Sequence, residues 1–137
     1  MNSPYLGLDI GFKRTGVALS ESGLIAQPLT VLEAKPPHMN GVVQEVLQLL
    51  KEHEIRTLVI GVPYDEDESQ TSQALRVEQV INQIESGIKE QQLLVEIVRS
   101  NEYHSTQDAA ALYPNTPDDA AVAALILQDT LDASTLV

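Results

Sequence analysis

The first apolar run, Tyr5 to Ile10, has no helical spacing and is broken by one charge, Asp9. A short apolar run bounded by turn residues predicts a buried strand. Gly11-Phe12-Lys13-Arg14 predicts a tight turn, and Thr15 to Ser20 a second strand with Gly16 and Ala18 on one face and Val17 and Leu19 on the other. After a turn at Glu21-Ser22-Gly23, Leu24 to Leu32 predicts a third strand. Pro28 places that strand at a sheet edge, because proline cannot donate to a ladder. The period then changes. Val42, Val43, Val46, Leu47, Leu49 and Leu50 follow helical spacing over Val42 to Lys51. Thr57 to Val62 is apolar and β-branched, closed by Pro63, and predicts a buried parallel strand. Gln70 to Lys89 predicts a long helix with Leu75, Val77, Val80, Ile81, Ile84 and Ile88 inward. Leu93 to Val98 predicts the last strand, and Ser105 to Leu112 a short helix in which Asp108 completes a cap on Ser105. Asp118 to Leu131 predicts a final helix, and Ala133 to Val137 a tail.

The order β-β-β-α-β-α-β-α-α implies an α/β domain. A three-strand antiparallel meander is followed by two strands parallel to the first, added through helical crossovers. No repeat, low-complexity tract or linker divides the chain, so residues 1–137 read as one domain. In such sheets ligands gather at the carboxyl ends of the strands. Asp9 and Glu102 both fall at predicted strand ends.

Composition narrows the function classes. The longest apolar stretch, Ala120 to Leu127, is too short to cross a bilayer, and no signal-peptide pattern opens the chain. Without cysteine there is no disulfide, thiolate nucleophile or Cys-based zinc site, and a reducing cytoplasm is the default. Eight Lys and Arg against twenty Asp and Glu give a net charge of -12, with no Lys or Arg after Arg99. That balance repels phosphate backbones at long range and weakens unassisted nucleic-acid binding. It suits a metal site or a basic protein partner.

Three carboxylates carry the candidate chemistry. Asp9 starts beside a core, where an acid requires a cation or strong donors, and a divalent metal would supply that cation. Its neighbours Gly7, Gly11, Lys13, Arg14 and Gly16 read either as a phosphate-approaching loop or as a plain hairpin. Glu102 reads as a metal ligand or as a solvated acid beside Arg99. Thr116-Pro117-Asp118-Asp119 reads as a capped helix start in which Asp119 completes the capping box. Asp119 also shares a helix face with Val122, Ala123 and Ile126, which should meet the sheet, whereas Asp118 points elsewhere. Asp65 to Glu68 reads as a solvated turn before a helix. His38, His53 and His104 have no metal-ligand spacing; His104 reads as a surface loop residue or as an aid to proton transfer.

The run Leu6-Gly7-Leu8-Asp9-Ile10-Gly11-Phe12-Lys13-Arg14-Thr15-Gly16-Val17-Ala18 resembles the opening of the YqgF-type family of Holliday junction resolvases or pre-16S rRNA nucleases, which have an RNase H-like fold. Gln27-Pro28-Leu29, Val59-Ile60-Gly61-Val62-Pro63 and the helix led by Asp119 through Gln128 are similar to later family segments in the same order. The resemblance implies an RNase H-like fold with a five-stranded mixed sheet flanked by helices. It also implies a magnesium- or manganese-dependent phosphodiester hydrolase acting on structured RNA or branched DNA. Asp9, Glu102 and Asp119 would hold one or two ions, about 3.5–4 Å apart when paired. Lys13 and Arg14 would contact phosphate, and a homodimer is an expectation from junction-cutting relatives. Three departures stand out. Asn101 and Tyr103 replace the family's Asp and Arg around the glutamate. The loop after Pro63 is acidic, and Tyr113 to Pro117 lacks the family's basic segment. These departures leave a second reading open, a non-catalytic interaction module that binds a basic protein.

Overall fold

In a computed structural model, residues 3–34, 39–63, 72–101 and 110–135 are described. Five strands form one mixed sheet: β1 (Tyr5–Ile10), β2 (Arg14–Ser20), β3 (Gln27–Glu33), β4 (Thr57–Val62) and β5 (Glu96–Asn101). Their order across the sheet is β3-β2-β1-β4-β5. β1 to β3 form the antiparallel meander, and β1, β4 and β5 run parallel. The helices are α1 (Asn40–Glu52), α2 (Ser72–Glu90) and α3 (Asp118–Thr135). The expected α/β architecture is therefore present. Pro28 lies on the edge strand, beside a register shift between Val17 and Ala18.

Alternation along the strands sorts side chains between two cores. Leu6, Leu8 and Ile10 of β1, with Leu58, Ile60 and Val62 of β4, face α1 and α2 in one buried cluster. Gly7 of β1 and Val59 of β4 face α3 across the sheet, where Ala121 to Leu127 and Ala18 form the second cluster. Each fully buried Leu or Ile contributes roughly 1.5–3 kcal/mol relative to exposure, so both layers are strongly held. Asp9 follows Gly7 in the same alternation, which puts it on the α3 face, half-buried.

α3 sits unusually low on the sheet. A Cβ on Gly16 would lie 1.8 Å from the Asp119 carbonyl oxygen, and one on Gly7 would lie 2.8 Å from Leu127 Cβ. Ala120, Ala121, Ala123 and Ala124 complete this close contact from the helix side. Gln128 then clamps the far end: its Oε1 accepts from Ala26 N at 2.8 Å, and its Nε2 donates to Leu24 O at 2.9 Å.

Several boundaries differ from the sequence expectation. β3 starts at Gln27, not Leu24; the amides of Leu24 and Ile25 bond to Ser22 Oγ in the preceding turn. β5 starts at Glu96, not Leu93: Leu93 N donates to Ile88 O and closes α2, and Leu94 is exposed. Leu75, expected inward, is 51 % exposed, while Ala74 and Val77 take the buried positions. α3 continues to Thr135, through most of the expected tail. The expected helix over 105–112 is described only at 110–112, which are helical.

Two outcomes follow. Gly16→Ala should cost about 3 kcal/mol or more, because the clash is with backbone that cannot rotate away; urea denaturation against wild type measures it. Tyr113 packs against the α3 cluster, and burial, then Asp132 and Asp129, raise its pKa above the ordinary 10.0. The raised value means the folded state disfavours the phenolate. Stability should therefore be intact below pH 10 and fall as pH rises through the folded value. Melting curves of wild type and Tyr113→Phe should diverge only in that alkaline window.

Candidate active site

The site is built where β1, β2 and the start of α3 meet. Asp9 is the cross-strand partner of Gly16. Gly16 in turn is the seat of the Asp119 backbone. One glycine therefore brings two carboxylate-bearing residues, 110 positions apart in sequence, to the same patch of the α3 face. Any side chain at position 16 would push the helix start away from Asp9. The sequence reading places this glycine on the second strand and groups it with the glycines of the loop; its structural role is the helix seat.

The turn between β1 and β2 supplies the third partner. Gly11 N donates to Arg14 O at 3.0 Å, and a Cβ on Gly11 would lie 2.5 Å from that same oxygen. The turn is thus closed by backbone contact, and Arg14 emerges on the α3 face with Gly16 and Ala18. Its Nε donates to Asp119 Oδ2 at 3.0 Å. The expected capping box on Thr116 is replaced: the first turn of α3 opens on the Pro117 carbonyl, which accepts from Ala121 N, and Arg14 engages the Asp119 carboxylate. Asp119 is half-buried and Asp118 exposed, as the helix-face argument expected. Both acids sit in the first turn, where the helix dipole favours negative charge.

Of the remaining candidates, Lys13 is exposed in the turn, and its carbonyl accepts from Ala34 N at 2.8 Å. Arg99 lies on β5. It makes a bidentate pair with Glu78 of α2, with contacts of 2.9 to 3.1 Å, on the opposite sheet face from Asp9. β5 ends at Asn101, and Glu102, His104, Ser105 and Asp108 lie outside the described residues, as do His38 and Asp65 to Glu68. Among the described residues no group of three His, Asp or Glu side chains could hold a metal ion. Among the described residues the candidate donors are Asp9 and Asp119, both hard carboxylates, and Arg14 supplies positive charge at Asp119.

The description "RuvX: Holliday junction resolvase" belongs to the family whose pattern matches residues 3–133. The chain belongs to this family. It is 35% identical over 135 residues to a protein of Gloeothece citriformis named "Putative pre-16S rRNA nuclease", covering 93% of this chain and 86% of the relative. A protein of the same name from Rippkaea orientalis is 36% identical over 142 residues, with 93% and 94% covered. Among solved structures, Thermus thermophilus RuvC superposes with a TM-score of 0.67 at 14% identity over 96% of each chain. The same protein in complex with a Holliday junction substrate gives 0.69 at 14% identity, over 98% of this chain and 96% of that one. At that identity the likeness establishes the RNase H-like fold. Membership of a nuclease family agrees with the expectation drawn from the opening motif.

The Arg14–Asp119 pair is largely solvated, with Arg14 63% exposed. Arg14→Ala should therefore lower stability by less than about 1 kcal/mol, a loss that shrinks as salt screens the pair. Urea denaturation at low and high salt would measure both the size and the screening.

Proposed function

We propose that this chain hydrolyses phosphodiester bonds in structured nucleic acid, precursor ribosomal RNA or a branched DNA junction, with a divalent metal held by Asp9, Asp119 and Glu102. The observation that carries the reading is the convergence of Asp9 and the Asp119 backbone on Gly16. The donor set fits magnesium or manganese, which prefer carboxylate oxygen. A bound ion would polarise a phosphoryl oxygen and lower the pKa of an attacking water. Asp9 holds its side of the site rigidly, because it sits on a central strand bonded on both sides. Asp119 is fixed by the helix seat. Arg14 neutralises Asp119 and stands ready, with Lys13, to contact a substrate phosphate. A cytoplasmic location suits that substrate class.

The net charge of -12 favours one alternative, an interaction module for a basic protein. Metal response separates the two. Magnesium or manganese at about 100 Kd should stabilise wild type by about 2.7 kcal/mol, through mass action on the folded state. Asp9→Asn and Asp119→Asn should lose that response. Cleavage of a structured RNA and four-way junction panel at low salt should fall on the order of 10²-fold or more in either variant. Equal thermal response in wild type and both variants, with no cleavage by any, would establish the interaction module instead.

A further inference from the structure

On the other face of the sheet from Asp9, the β1–β2 turn and α2 enclose a cavity of about 360 Å³. Ile10, Gly11 and Phe12 form one wall, with Met39 beside them. Gln73, Arg76, Gln79, Val80 and Gln83 of α2 form the other. That volume lies within the range of small-ligand sites. We propose that it receives one unpaired base of the nucleic-acid strand whose phosphate lies at Asp9 and Asp119; the inference rests on the nuclease reading above.

Three observations point to a base. Phe12 is 44% exposed, a large cost for an aromatic with a core close by, and the Arg76 guanidinium lies 4.7 Å from its ring centroid. An aromatic ring and a guanidinium plane are the surfaces on which bases stack. The α2 wall carries three glutamines, at 73, 79 and 83, and a side-chain amide offers both a donor and an acceptor to a base edge. Gln73 Nε2 donates to the Ile10 carbonyl at 3.1 Å, which ties this wall to the strand end that carries Asp9. Among the described residues, the nine that line the cavity include no acid. Arg76 supplies positive charge to this wall.

Position supports the same ligand. Phe12 follows Asp9 by three residues, a span of at most about 10 Å. A strand crossing the turn can therefore place a phosphate on the α3 face and an adjoining base on the α2 face. The turn itself is held closed by the Gly11–Arg14 backbone bond, so the two half-sites keep a fixed separation.

The test uses single-stranded RNA and DNA decamers carrying one 2-aminopurine, at low salt, with EDTA to remove metal. The protein has no tryptophan, so the probe's emission is read cleanly. Saturable quenching by wild type is expected. Phe12→Ala and Arg76→Ala should each weaken it about tenfold, as loss of a stacking partner does. Gln83→Leu should weaken it less. The same decamer with an abasic site should bind no better to wild type than the intact decamer binds to Phe12→Ala. The proposal is overturned if quenching is absent, if Phe12→Ala and Arg76→Ala match wild type, or if the abasic decamer binds equally well. Adenosine monophosphate binding as tightly as the decamer would assign the cavity to a free nucleotide and overturn the strand reading. In a separate assay with magnesium or manganese restored, absence of cleavage with quenching intact would sink the nuclease reading alone. Cleavage persisting without quenching would sink only the base site.

Discussion

The closest approach of helix to sheet, at Gly16, is the constraint on which this molecule depends. Interiors pack to crystalline density, so a helix can descend onto a strand only where the strand has no side chain. Gly16 and Gly7 open that path on neighbouring strands, and an alanine-rich stretch of α3 fills it. The gain is dispersion contact along the helix, with eight consecutive residues, 120–127, buried. The same descent draws the first turn of α3, with its two acids, toward the end of β1. Packing and site assembly are one event here, and a perturbation of either disturbs the other.

Electrostatics then organises the patch. Negative charge accumulates at a helix N-terminus, where the dipole tolerates it, and beside an apolar strand end, where desolvation makes it demanding. Arg14 answers part of that demand through a single Nε contact with Asp119. The turn that delivers Arg14 is closed by backbone contact at Gly11, so the cation's position is inherited from strand geometry. On the other face, Glu78 occupies Arg99 with a bidentate pair. Among the described residues, Arg14 and Arg99 are thus engaged with carboxylates in a protein that is acidic overall. Electrostatic attraction for a polyanion is weak, and specific contacts must carry recognition. An aromatic ring, a guanidinium and amides suit that requirement because they act at short range and are little affected by net charge.

The two faces of the sheet divide the labour. Leu8 and Ile10 bury themselves against α1 and α2, while Asp9 between them faces α3. A period of two lets one strand serve a dry core and a polar site at once. It also places the turn after β1 at the junction of both faces, so Phe12 and Arg14, two residues apart, meet different helices.

The sequence by itself determined the α/β class, the strand directions and the edge position of β3, and it singled out Asp9, because these follow from local periodicity, proline chemistry and an acid set in an apolar run. Its family likeness to nucleases was legible in the glycine-spaced opening for the same reason. Strand ends were less legible: Leu93 and Leu94 look like strand, yet a backbone bond back to Ile88 claims the first as a helix stop. Leu75 fits a helical stripe by spacing, but Ala74 and Val77 are the ones that the neighbouring strands cover. Only the tertiary structure decided that Gly16 seats a helix, that Arg14 belongs to Asp119, and that Gln128 clamps a distant loop. Each of these joins residues about a hundred positions apart. Local pattern records which atoms a residue brings, whereas the partner it meets is fixed by how whole elements pack.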